Sequence, residues 1–147
     1  MAAIALCGAL FGCALPPPTR AVAIPPPPPG EARIWVYSGW DPYAPETESY
    51  ILMNGARVGV FYPGYTFYRD VAPGPYVVGV ESEEPPHQQF APVGVVAGQQ
   101  VYLKVESWHD CGGGDVGGGW CRTNFATYLQ LPQVGSAAVA ALPFSGW

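Results

Sequence analysis

Two cysteines bracket the most unusual stretch of the chain, CGGGDVGGGWC from Cys111 to Cys121. Four chemistries suit such residues: a phosphate cradle, a metal site, a redox dithiol or a cross-link. Gly112 to Gly117 spells G-x-G-x-x-G. A dinucleotide loop of that form must open a helix and be followed by an acid about 20 residues on. Here Gly118, Gly119, Trp120 and a cysteine follow, and they start no helix. Calcium-binding Gly-Asp nonapeptides occur in tandem, whereas this stretch occurs once. His109, Asp110, Cys111 and Cys121 are the available metal ligands, but Cys-x9-Cys is not a zinc spacing and no second pair supports it. A thioredoxin-like centre needs C-x-x-C, which is missing. Neither a metal nor a cofactor is expected.

Other reactive side chains are sparse. His87 and His109 are the only histidines, and His87 sits in the solvated loop EEPPHQQ. On a strand, Asp110 and His109 point to opposite faces. Glu81, Glu83 and Glu84 read as a solvated charge cluster. A hydrolase pairing Glu83, Glu84 or Asp41 has no positional support, and no serine occupies a nucleophile elbow. The chain is therefore not expected to be an enzyme. Aromatics are the richer signal. WVYSGWDPY clusters Trp35, Tyr37, Trp40 and Tyr43, while Trp108 and Trp120 flank the glycine segment. These six form a candidate binding surface on which sugar rings could stack; the alternative is ordinary strand and core residues. Exposed, coplanar Trp40 and Trp120 would favour sugar binding, and buried rings would favour the core.

The elements that must position these residues are short strands. ARIWVYS alternates, with Ala32, Ile34 and Val36 on one face and Arg33, Trp35 and Tyr37 on the other. Asn54-Gly55 is a type I′ hairpin signal. YPGY and APGP are further turns, followed by TFYRDV and YVVGVES as strands. FAPVGVV carries Pro92 and reads as an edge or bulged strand. VYLKVES places Val101, Leu103 and Val105 inward and Tyr102, Lys104 and Glu106 outward, and NFATYLQL is the last strand. Short strands with turn signals every 8–12 residues predict an all-β, immunoglobulin-like antiparallel sandwich of about 7–8 strands. Val134 to Leu142 fits either one short helix or an irregular tail.

The 147 residues suit one domain plus a leader. Six basic against eleven acidic residues give a net charge of −5, and the lack of a Lys/Arg cluster argues against nucleic acid as a partner. Ala2 to Leu15 are all small or apolar, a run too short to span a membrane but long enough for a secretory signal core. Within it, Leu10-Phe11-Gly12-Cys13 resembles the lipobox of bacterial lipoproteins, whose cysteine is lipidated and becomes the first residue. That resemblance implies a membrane anchor at Cys13. Ala14 in place of Asp implies export to the outer membrane. Pro16 to Pro18 and Pro25 to Pro29 should form a stiff polyproline spacer. An exported chain meets an oxidising compartment. Cys7 would leave with the signal and Cys13 would carry lipid, so Cys111 and Cys121 are expected to pair. That answers the opening choice with a disulfide-stapled loop.

The order of pieces also resembles a known family: a Pro-rich tether, Ala32 to Tyr37, Met53 to Gly59, Pro63 to Tyr68, Ala72 to Val78 and Ala97 to Val105. Together these are similar to the proteobacterial lipoprotein domain of unknown function (DUF) 2846 and to PEGA-type surface β-domains. The cysteine segment after Val105 departs from that pattern. The resemblance implies a small envelope β-domain with no established enzyme activity. The resulting organisation is a signal peptide at 1–12, a lipidated cysteine and tether at 13–30, a PEGA-like sandwich at 31–131 and a tail at 132–147. The expected role is a structural or interaction lipoprotein of the outer membrane's inner leaflet, facing the periplasm, with an envelope protein or glycan as partner. The alternative is a carbohydrate- or peptidoglycan-binding module.

Overall fold

β-Branched and aromatic residues at a period of two, cut by Pro-Gly and Asn-Gly turns, build eight strands and one helix. The computed structural model describes residues 24–43, 49–82, 88–114 and 118–145. The leader, Cys7, Cys13, Pro16 to Pro18, Glu83, Glu84, His87 and Asp115 lie outside them. The strands are β1 Ala32–Ser38, β2 Ser49–Met53, β3 Ala56–Phe61, β4 Thr66–Val71, β5 Gly74–Val80, β6 Ala91–Val95, β7 Gln100–Gly114 and β8 Gly118–Gln130, followed by α1 Pro132–Ala141. They form two four-stranded sheets, ordered β4-β1-β7-β8 and β3-β2-β5-β6, which pack as a sandwich.

Turn chemistry sets the registers. Asn54 and Gly55 take φ of 50° and 80°, the left-handed pair a two-residue β2–β3 hairpin needs. Pro92, which cannot donate to a ladder, sits exposed on the edge strand β6. Among the described residues the strand pairs are antiparallel except β1 with β7, which run parallel from Arg33–Gln100 to Ser38–Val105. That pair departs from the fully antiparallel expectation. It has a directional consequence: β1 and β7 start at the same end, here the tether end, and β7 runs on past Val105 beyond the far end of β1.

Between the sheets lies an aliphatic core that includes Ile34, Val36, Ile51, Val78, Val80, Leu103 and Val105. Phe61 and Phe125 meet edge to face within it, centroids 5.2 Å apart. A second core covers the other face of β1. Trp35, Tyr37 and Tyr102 are buried there beneath Ala138, Val139 and Leu142, with Tyr68 and Ile24 at its margin. The helix starts with Pro132 at its first position, where a missing N–H costs nothing. It can approach only because residue 135 is glycine; a Cβ there would stand 2.2 Å from the Cβ of Tyr102. Tyr102 is thus covered, not outward-facing as the alternation of β7 suggested, because the tail folds back as a helix.

Arg33, only 2% exposed, is the polar centre of this second core. It grips Asp70 with two parallel bonds, Nε to Oδ1 at 2.7 Å and Nη2 to Oδ2 at 2.8 Å. Its third arm donates to the carbonyl of Pro25, and the guanidinium lies 3.8 Å from the Tyr68 ring centroid. Ile24 and Pro25, read from sequence as part of the spacer, therefore lie against the sandwich.

Candidate functional site

The six candidate aromatics divide. Trp35 (6% exposed) and Tyr37 (4%) are core residues and leave the binding surface. Trp35 stacks on Tyr102 at 6.3 Å and donates its indole N–H to Gln100 Oε1 at 2.9 Å. The correction has a simple cause: the second face of β1 is sealed by α1 and the tether. Trp40 (76%) and Tyr43 (78%) are the most exposed large hydrophobic side chains of the described residues. They occupy the segment that leaves β1, at the far end.

Trp108 and Trp120 are exposed on the arm formed where β7 and β8 continue past the sheet. Period two puts Trp108, Asp110 and Gly112 of β7 on one face with Asn124, Arg122 and Trp120 opposite them on β8. Trp120 lies over Gly112, where a Cβ would come within 2.6 Å of the ring, and the Arg122 guanidinium sits 4.6 Å from its centroid. Gly112 to Gly114, Gly118 and Gly119 thus make strand, with room at Gly112 for an indole to lie across the ladder. Gly112 stands seven residues beyond Val105, about 23 Å along β7 at about 3.3 Å per residue. Trp120 and Gly112 lie on the ladder face opposite that of His109, against which Tyr43 packs, so Trp120 and the Trp40–Tyr43 segment belong to separate surfaces.

Cys111 and Cys121 face each other across the arm and are joined by a disulfide, their Cα atoms 4.1 Å apart. The bond takes both sulfurs from any metal set. Asp110 lies on the opposite face from His109, as strand geometry requires.

His109 instead completes a polar cluster that spacing did not suggest. Its Nε2 is 2.9 Å from Asp41 Oδ2, and its Nδ1 is 3.1 Å from Thr123 Oγ1. Ser107 donates its hydroxyl to the same Asp41 oxygen. The backbone N–H of Tyr43 donates to Asp41 Oδ1 at 2.9 Å. Burial works against ionising Asp41, but the bonds from Ser107, Tyr43 and His109 outweigh it and hold the carboxyl below its ordinary value. An ionised carboxylate needs a proton on the facing Nε2, so in the neutral ring Nδ1 accepts from Thr123. The order carboxylate, imidazole, hydroxyl matches a nucleophile relay on paper. Thr123, however, is buried in the β8 ladder, and Ser107 spends its proton on the carboxylate. What the cluster does is pin Asp41, and with it Trp40 and Tyr43, to the base of the arm.

Sequence reasoning weighed Asp41 only as a catalytic acid and His109 only as a ligand. Ser107 and His109 share a strand face by spacing, but Asp41 is 66 residues from Ser107, a partner no local pattern reveals. No protein-family model, curated protein or solved structure matches the chain.

Proposed function

We propose that the chain is a small, non-enzymatic envelope lipoprotein. It is anchored through Cys13 to the inner leaflet of the outer membrane and carries a PEGA-like interaction domain facing the periplasm. The observation that carries this reading is the opposition of the two ends. The N-terminal segment docks beside β1 at the tether end. The fifteen residues of β7 then run the other way for about 45 Å, carrying Trp108 at the base of the arm and Trp120 beside the disulfide farther out. An anchored module that must reach a partner needs this polarity. The lipobox-like leader and a disulfide suited to an oxidising compartment support the same location.

The test is an in-cell experiment on the full chain. Labelled palmitate should enter the protein and be lost with Cys13→Ser. A photo-crosslinking residue at position 108 should capture an envelope component, whereas one at Val134, near the tether end, should not. Absence of palmitate would overturn the anchor. Equal capture from both positions would overturn the polarity.

A further inference from the structure

We infer that the segment Trp40–Tyr43 is a carbohydrate-binding site, taking an uncharged sugar ring against the Trp40 indole. This rests on the proposed interaction role and names the partner class at the far end. Three observations carry it.

First, the two most exposed large hydrophobic side chains of the described residues flank a carboxylate held by three hydrogen-bond donors. These bonds hold the backbone from which both rings project, and a segment already held loses less entropy on binding. Second, Trp40 has a solid floor. Gly64 backs it, with a φ of +82°, and a Cβ there would press on the indole and the Trp40 backbone at 3.3–3.6 Å. The Gly64 N–H donates to the Gly39 carbonyl at 2.9 Å, closing the turn against the segment. Gly64 thereby lies against the base of the Trp40 side chain while the residue stays open to water. Tyr43 is likewise braced, edge to face with His109 at 6.0 Å.

Third, the Asp41 carboxylate is bonded to Ser107, His109 and the Tyr43 N–H, with no Lys or Arg among these partners. A phosphate or a nucleic acid would need cations there. A membrane is on the wrong side, since the tether docks at the opposite end. The exposed aliphatics Val96, Leu131 and Val134 also gather at that tether end, leaving the Trp40 region aromatic. A sugar ring offers a CH face to an indole and hydroxyls to water and to amphipathic rings, which is the chemistry left.

The probe is a soluble β-1,4-linked N-acetylglucosamine tetramer added to the full-length protein in detergent, read by tryptophan emission. A saturable change is expected. Trp40→Ala should weaken binding about tenfold, and Trp120→Ala should leave it within about twofold, since that ring lies on another surface. Trp40→Ala should keep the wild-type unfolding midpoint because the side chain is exposed. Equal losses from Trp40→Ala and Trp120→Ala would overturn the assignment to this segment. If neither the tetramer nor isolated peptidoglycan binds while a crosslinker at position 40 or 108 captures a protein, the carbohydrate inference fails and the interaction role stands. If no binding and no capture occur, both fail.

Discussion

The two faces of β1 are sealed by different means. Toward the second sheet, Ile34 and Val36 share one core with the aliphatic residues of β2, β5 and β6. Toward the helix, Trp35, Tyr37 and Arg33 are covered by α1 and the end of the tether. The first face is a core that alternation alone demands. The second is assembled from amphipathic side chains, each able to face water, and it becomes a core only because a tail and a spacer lie over it. An outward position in a strand pattern therefore does not mean an exposed one.

That contrast can be broken most directly at Trp35. Trp35→Ala should cost about 4 kcal/mol, as much as a large truncation in the aliphatic core; denaturant unfolding beside Ile34→Ala gives the comparison. A loss under about 1 kcal/mol would return Trp35 to the surface class. Next, Arg33→Ala should cost about 3 kcal/mol by stranding Asp70, and the pair Arg33→Met with Asp70→Leu should recover most of it. Recovery would mark the ion pair as a specificity device in an apolar setting. Replacing both Cys111 and Cys121 by Ser should cost about 2.5 kcal/mol through the freer unfolded chain. Near-UV circular dichroism from the two cores should barely change, because the arm lies outside both. Ile24→Ser should cost about 1 kcal/mol and increase acrylamide quenching of Trp35 if the tether closes the second core. The smallest effect concerns Asp41. Its folded pKa is lowered, so its contribution is complete above the ordinary carboxylate value near 4 and fades as pH falls through the lower folded value. Asp41→Asn should flatten that acid limb, which acid titration of the unfolding midpoint would show.

Much of the architecture was legible because local signals agreed. Asn54-Gly55, the Pro-Gly turns and the alternation of β1, β6 and β7 give strands, edges and inward faces by short-range sterics. The cysteine pair was legible from compartment chemistry. The site was not. Whether Trp35 is covered depends on where Pro132–Ala141 packs. Whether Asp41 is reactive or structural depends on Ser107 and His109, joined to it only once β1 and β7 lie side by side. The exposure of Trp40 against the burial of Trp35, five residues earlier, is likewise set by tertiary neighbours.

The parallel pairing of β1 with β7 also fixes how the molecule would bear load. An anchor pulling on the N-terminus of β1 and a partner pulling on the arm beyond the C-terminus of β7 draw the two strands along their own axes in opposite directions. The paired residues from Arg33–Gln100 to Ser38–Val105 would then resist together, in shear, instead of opening one after another like a zip. Under the proposed anchoring, traction along the two strands would meet the sandwich in its mechanically stiff direction.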